Sequence, residues 1–194
     1  MEKYDIKSNQ WSSVAPIITS RYYLGAASYR EFIFATGGTN RGSLATVEKY
    51  NTLTNQWSKV SSMTTKRDEH ASVTCGDSIY SIGGYYRSQY LNSAERYDIQ
   101  TDQWISIAPM KKARNYHAAV SIGESIFVLG GYDGSSTLKS VEMYDTQSNK
   151  WMKITPINTA RYSLAAAICG NFISVIGGLA GKSALETVEK LALF

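Results

Sequence analysis

The chain has 194 residues, 43% of them hydrophobic, which is enough to bury the core of a single domain over residues 1–194. Charged residues make up 19% and aromatic residues 12%, a composition that favours an ordered chain and argues against a disordered one. The net charge of +4 is too small an excess to indicate nucleic acid binding by itself.

Neither a targeting segment nor a membrane segment is predicted. The first residues, Met1 to Asp5, lack a following apolar stretch, so we expect no signal peptide. The most apolar window runs from residue 164 to residue 181. Four glycines and two polar residues interrupt it, and we interpret it as strands rather than a membrane helix.

Three markers recur along the chain with a shared period of 46 or 47 residues. The first is a pair of glycines, at Gly37–Gly38, Gly83–Gly84, Gly130–Gly131 and Gly177–Gly178. The second is a tryptophan, at Trp11, Trp57, Trp104 and Trp151. The third is a Val-Glu or Ala-Glu pair that begins at residues 47, 94, 141 and 188. Repetition at such a period predicts an array of similar structural units.

In chain order, the sequence predicts two strands, around residues 2–5 and Trp11, and then four repeat units. Each unit is predicted to hold four short strands, which we name a to d. In the third unit they cover residues 117–122, 125–129, 140–144 and 150–154. No window has helical periodicity of useful length. The units cover residues 16–61, 62–108, 109–155 and 156–194, and residues 1–15 complete the last.

The order of residues within each unit resembles that of kelch repeats. An arginine, a small apolar strand, a glycine pair, a Tyr-Asp pair and a tryptophan follow one another, as in Arg114, Gly130–Gly131, Tyr144–Asp145 and Trp151. The resemblance covers essentially the whole chain, with Asn51 and Leu191 as mild departures. It implies an all-β fold: a β-propeller of four kelch-type blades, each a four-stranded antiparallel sheet.

The phase of the repeats leaves more than one arrangement open. The N-terminal strand that contains Trp11 is the fourth strand of a unit, whereas the last unit supplies only its first three strands. The N-terminal strand can therefore complete the last blade, which would close the ring and cover the edge strands. Kelch propellers usually have more blades than four, so the chain can instead be part of a larger propeller or pair with another copy.

The residues that the units share are expected to build the scaffold. Glycine pairs adopt backbone angles that other residues avoid and let neighbouring chains approach closely. The tryptophans are expected to fill the gaps between blades. Cys75 and Cys169 lie at equivalent positions two repeats apart. We therefore expect two free thiols, a reducing compartment and a cytoplasmic protein.

The longer loops, between strands b and c and between strands d and a, lie on one face of a propeller. They carry ten basic and three acidic residues, an excess of +7, against −3 for the remainder of the chain. Arginine and tyrosine are enriched where proteins bind each other. We predict that this loop face binds a partner through Arg21, Tyr22, Arg41, Arg67, Tyr85, Tyr86, Arg87, Tyr90, Arg114, Asn115, Tyr116, Tyr132, Arg161 and Tyr162.

Two groups of loop residues recur at a fixed repeat position. One group fits either a scaffold role, as donors to loop carbonyl groups, or the recognition of carboxylates. Its members are Arg21, Arg67, Arg114 and Arg161. The other group, His70 and His117, is a weak signal for a metal site, and we expect none. No spacing of Cys, His and Ser indicates a nucleophile with its base.

These observations favour a protein-binding module over an enzyme, with neither a cofactor nor a metal. The resemblance to kelch proteins implies two classes of partner, substrates of cullin ubiquitin ligases and cytoskeletal proteins such as actin. The basic excess favours an acidic segment of that partner, with no nucleic acid or membrane involved. The alternative is a propeller that binds or isomerises a sugar or another small molecule, for which we expect a deep pocket with convergent charges.

Overall fold

The computed structural model describes residues 1–192, which form an all-β fold. None of these residues belongs to a helix long and apolar enough to cross a membrane. Two short strands come first, β1 (Glu2–Asp5) and β2 (Gln10–Ser13), and they pair as an antiparallel hairpin. The first blade follows, with β3 (Gly25–Tyr29), β4 (Phe32–Thr36), β5 (Val47–Asn51) and β6 (Gln56–Val60).

The later blades repeat this order. The second blade contains β7 (Ala71–Cys75), β8 (Ser78–Ile82), a small loop hairpin of β9 (Tyr85–Tyr86) and β10 (Gln89–Tyr90), then β11 (Ala94–Asp98) and β12 (Gln103–Ile107). The third contains β13 (Ala118–Ile122), β14 (Ser125–Leu129), β15 (Val141–Asp145) and β16 (Lys150–Ile154). The fourth contains β17 (Ala165–Cys169), β18 (Phe172–Ile176), the loop hairpin β19 (Leu179–Ala180) and β20 (Ser183–Ala184), and β21 (Val188–Ala192).

Each blade is an antiparallel sheet whose strands follow the chain order a to d. In the second blade Tyr97 of strand c lies opposite Ile79 of strand b and Trp104 of strand d. The a strands form the inner edge of the array, where β3 contacts β7, β7 contacts β13 and β13 contacts β17. The predicted four kelch-type blades of a β-propeller are thus present.

The hydrophobic core lies between blades rather than within them. One cluster joins Phe34 of the first blade to Ile79, Tyr97 and Trp104 of the second, and similar clusters join the second blade to the third and the third to the fourth. The indole of Trp104 donates a hydrogen bond of 2.9 Å to the carbonyl of Ser61, at the end of the first blade. A four-stranded sheet cannot bury both faces alone, so each blade depends on its neighbours.

Of the arrangements that the sequence leaves open, closure of the ring by the N-terminal strand is not formed among residues 1–192. Strands β1 and β2 pair with each other and with no strand of the fourth blade, which has three strands among residues 1–192. Because the hairpin packs beside the first blade, Ala15 accepts the indole hydrogen bond of Trp57 at 3.0 Å. No further strand among residues 1–192 pairs with the hairpin. Trp11 is consequently 68% exposed, contrary to the predicted burial of all four tryptophans.

Candidate functional site

The d–a loops are joined to one another at the inner edge of the loop face by backbone hydrogen bonds. The amide of Glu69 donates to the carbonyl of Tyr23, that of Tyr116 to Glu69, and that of Ser163 to Tyr116, at 2.8–3.0 Å. All four residues have φ between 49° and 54°, a left-handed conformation that is uncommon for residues with a side chain. We call these four linked residues the belt. It fixes four side chains, one from each d–a loop, at equivalent positions on the loop face.

The four repeated arginines lie beneath this belt and are buried. Arg67 donates to the carbonyls of Gly83 and Ser93 at 2.7 and 3.1 Å and to the carboxylate of Glu95 at 2.7 Å. Glu95 also accepts the amide hydrogens of Thr64 and Thr65. Burial opposes its charged form, but these donors and the Arg67 charge outweigh burial, and the pKa of Glu95 lies below its usual value. The ion pair therefore ties the d–a loop to the b–c loop of the same blade.

The same ion pair occurs in every repeat. The pairs are Arg21–Glu48, Arg67–Glu95, Arg114–Glu142 and Arg161–Glu189, at 2.5–2.7 Å. The arginine side chains are at most 1% exposed. Of the two roles that the sequence leaves open, the structure places them in the scaffold, and a partner cannot reach them without breaking these bonds. The prediction that they contact a partner is corrected on this point.

These pairs also change the charge of the loop face. The count of +7 for the loops includes the four arginines. Their partner glutamates lie in strand c, so the same count places the compensating negative charges in the remainder of the chain. With each pair taken as neutral, the loop face carries +3 and the remainder +1. Lys112 is further engaged with Asp133 at 3.4 Å. The strong basic excess that favoured an acidic partner is therefore absent.

His70 and His117 lie just after the belt and are buried, at 7% exposure each. His70 Nε2 lies 2.9 Å from the Thr36 hydroxyl, which gives it one hydrogen-bond partner. Burial and the nearby Arg114 lower the pKa of His117 to about 3, and burial and Arg67 lower that of His70 well below its usual value. Both are neutral near pH 7. No cluster of three or more potential metal ligands occurs among residues 1–192.

The outer layer of the loop face is a continuous row of tyrosine rings. Neighbouring ring centroids lie 5.1–6.3 Å apart in the order Tyr85, Tyr90, Tyr132, Tyr162, Tyr116 and Tyr23. The interplanar angles between neighbouring rings range from 48° to 83°, so the rings are tilted or edge-on to one another and do not stack face to face. The row crosses the second, third and fourth blades and reaches the first.

Several contacts hold these rings in place. The hydroxyls of Tyr132 and Tyr162 donate to the carbonyls of Gly134 and Gly181, each at 3.0 Å. Gly134 also makes room for its neighbour, since a Cβ atom there would lie 2.6 Å from the Tyr90 ring. The rings are therefore positioned before any partner arrives, which lowers the entropy cost of binding.

Five of these six rings, all except Tyr23, line a pocket of about 490 Å³ that opens on the loop face. We call it the tyrosine pocket, and it is lined by Glu69, Tyr85, Tyr90, Asn115, Tyr116, Tyr132, Thr137, Tyr162 and Gly181. Glu69 is its single charged lining residue. The Glu69 carboxylate accepts a hydrogen bond from Asn115 Nδ2 at 2.6 Å and another from the Tyr116 hydroxyl. Burial and this bond to Glu69 raise the pKa of Tyr116, so its hydroxyl remains a donor.

The structure thus divides the predicted binding residues into three groups. Six of them line the tyrosine pocket: Tyr85, Tyr90, Asn115, Tyr116, Tyr132 and Tyr162. Four are the buried arginines. The remaining four lie outside the pocket on the loop face: Tyr22, Arg41, Tyr86 and Arg87. Arg87 packs over the Tyr86 ring, 5.2 Å from its centroid.

Sequence reasoning did not select Glu69, Thr137 or Gly181 for the pocket. In the sequence, Glu69 is one of the three acidic loop residues and lies beside His70. Its repeat position offered a signal, because the equivalent residues are Tyr23, Tyr116 and Ser163, and an acidic residue stands there in one repeat alone. Variation at a fixed position of a repeated scaffold marks a residue free to serve recognition.

A comparison with protein-family models matches residues 26–193 to the KLHDC2/KLHL20/DRC7 Kelch-repeats domain. The chain belongs to the kelch-repeat family. No curated protein matches it significantly. Kelch-repeat propellers are in general protein-interaction modules without enzymatic activity, and this chain is accordingly a protein-interaction module in the general sense. The blades supply the fixed scaffold, and the variable loops supply the surface on which the tyrosine pocket lies.

Proposed function

We propose that this kelch propeller binds an exposed segment of another protein in the tyrosine pocket on its loop face. The observation that carries the proposal is the row of six tyrosines in mutual contact, five of which line one cavity. Tyrosine is among the residues that contribute most to binding between proteins, because it buries a large rigid ring and keeps a polar hydroxyl.

The surrounding loops extend this surface. Arg41 and Arg87 are exposed at the tips of b–c loops, Tyr22 packs against Tyr23 at one end of the tyrosine row, and Tyr86 packs under Arg87. A segment that enters the pocket would cross these residues at the rim, where polar contacts select the sequence. The partner classes we propose are a substrate of a ubiquitin ligase and a cytoskeletal protein, met in the cytoplasm, without nucleic acid or membrane contact.

Sugar binding or isomerisation remains the second candidate, and the charges in the pocket favour it less. Such a site needs several charged groups that converge on the ligand. The four arginines and their glutamates are committed to ion pairs, and Glu69 alone brings a charge to the pocket lining. An aromatic wall with one carboxylate suits a side chain of a protein segment better.

A display library of random short segments tests the proposal, with the purified chain as bait. We expect enrichment of segments whose binding falls when Tyr132 or Tyr162 is replaced by alanine, by about 2 kcal/mol or roughly 30-fold for a central tyrosine. The matched control is Tyr29→Ala, since Tyr29 lies at an a–b turn on the opposite face and bonds to Asp77 there. Segments that bind all three variants equally well would place the binding surface elsewhere.

A further inference from the structure

The charge of the tyrosine pocket is negative, although the chain as a whole is basic. Glu69 takes part in none of the ion pairs found among residues 1–192. Arg67, two residues before Glu69, and Arg114, directly before Asn115, are each bound to a glutamate of strand c. The pocket therefore contains a carboxylate that no cation of the described chain neutralises.

The pocket also holds hydrogen-bond acceptors that lack donors. Asn115 is 4% exposed, and its Nδ2 donates to Glu69, which leaves Oδ1 as a buried acceptor with no donor in the described part of the chain. Each carboxylate oxygen of Glu69 accepts one hydrogen bond, while an ionised carboxylate accepts about four in total. A buried acceptor without a donor is costly, and a ligand that brings N–H groups would remove that cost.

The walls of the pocket suit the same kind of ligand. Aromatic rings attract a cation over their faces, and five tyrosine rings line the same pocket as Glu69. An anionic group would meet the Glu69 charge without any basic residue to offset it. A neutral group would leave that carboxylate without a counter-charge as water is displaced.

We infer that the tyrosine pocket accepts a cationic side chain, arginine or lysine, of the bound protein segment. Its N–H groups would donate to Glu69 and to Asn115 Oδ1, and its alkyl stem would pack against the rings of Tyr90, Tyr132 and Tyr162. This inference rests on the proposed function, and it replaces the acidic segment that the charge count first favoured.

The display library described above also tests this inference when it is selected in parallel against the native chain and a Glu69→Gln variant. We expect arginine or lysine at a fixed position of the segments that depend on the pocket, and loss of that residue from those selected by Glu69→Gln. The matched control is Glu124→Gln, which removes the same charge from an exposed a–b turn on the opposite face. A thermal melt of each variant verifies that it is folded.

One selected segment is then synthesised twice, with its arginine or lysine and with a neutral isostere, citrulline or norleucine. The native chain should bind the cationic form at least tenfold more tightly, and Glu69→Gln should bind the two forms equally. Segments that need Tyr132 and Tyr162 but show no cation preference would overturn the inference and leave the proposed function standing. The absence of any segment that depends on those tyrosines would overturn both.

Discussion

The tryptophan of strand d occupies one repeat position, yet its surroundings differ between the middle of the chain and its N-terminal hairpin. Trp104 and Trp151 are 8% and 5% exposed and donate to Ser61 and Ala108 of the preceding blade. Trp11 packs on Tyr4 in the same way as they pack on their own tyrosines, with centroids 5.3 Å apart, but it is 68% exposed. Whether the tryptophan of strand d is buried thus depends on the blade beside it.

The fourth blade shows the same effect on its open side. Its strand c has the pattern of alternating exposed and half-buried residues, whereas the first three residues of the corresponding strand c in the third blade are buried, buried and half-buried. Ile176 and Val188 are 45% and 55% exposed, while the equivalent Leu129 and Val141 are 0% and 1% exposed. Residues at equivalent repeat positions therefore contribute differently to the free energy of unfolding. Substitutions at these positions can measure the difference.

The largest expected effect comes from the buried ion pairs. Arg114→Ala should reduce the free energy of unfolding by about 3–5 kcal/mol, because it leaves Glu142, 1% exposed, as a buried charge without a partner. Arg161→Ala should cost less, since the Glu189 side chain is 14% exposed and water can reach it. Denaturant unfolding of both variants gives the two values. Equal losses would mean that the open side of the fourth blade does not relieve its ion pair.

The second test compares tryptophans. Trp104→Ala should cost about 3–5 kcal/mol, because it opens a cavity between the first two blades and removes the hydrogen bond to Ser61. Trp11→Ala should change stability by about 0.5 kcal/mol or less, as for other exposed positions. Thermal melts of the two variants provide the comparison. A loss of similar size for Trp11→Ala would show that another surface covers the hairpin in solution.

These two tests separate what the sequence can predict from what it cannot. The spacing of glycines and tryptophans is a property of each repeat by itself, and it correctly predicted four kelch-type blades. The exposure of Trp11 depends on which blade stands beside it, and no residue near Trp11 encodes that. The sequence leaves completion of the fourth blade open for the same reason, because the phase of the repeats permits pairing of the two ends without requiring it.

The candidate site was predictable in its residue types and not in its charge. The loop face and six of its pocket residues followed from the variable loops and their tyrosines. The arginines were misassigned because each lies in a d–a loop, whereas its glutamate partner lies 27 or 28 residues later in sequence, in strand c. A charge count over loops alone cannot detect such a pair.

The third test uses the two histidines, which occur in the second and third blades where the first and fourth have Leu24 and Leu164. Burial next to Arg67 and Arg114 lowers the pKa of both, so the unfolded chain binds more protons below pH 6.5. Stability should therefore be complete above that pH and fall as the pH decreases toward the folded value, about 3 for His117.

The expected loss between pH 7 and pH 5.5 is about 1 kcal/mol for each histidine. Glu95, whose pKa lies below its usual value, titrates at lower pH and does not contribute in this window. His70→Leu with His117→Leu, which copies the first and fourth blades, should flatten the pH dependence. Denaturant unfolding at the two pH values measures it. An unchanged slope in the double variant would assign the effect to other groups.

The smallest expected effect concerns the cysteines, which again contrast an interior blade with the open one. Cys75 of the second blade is 7% exposed and its thiol donates to the carbonyl of Gly123 at 3.3 Å, whereas Cys169 of the fourth blade is exposed. Both thiols are free. Burial also raises the pKa of Cys75, which reduces the fraction of reactive thiolate.

A thiol reagent added to the native chain should therefore modify Cys169 at least about tenfold faster than Cys75, because Cys75 reacts only when its blade opens. The variant Cys169→Ser should retain only the slow phase, which assigns the fast one. After denaturation without a reductant, the reagent should modify both thiols of each chain. Equal native rates would mean that the second blade opens as readily as the fourth, and the neighbouring blades would then not be what protects it.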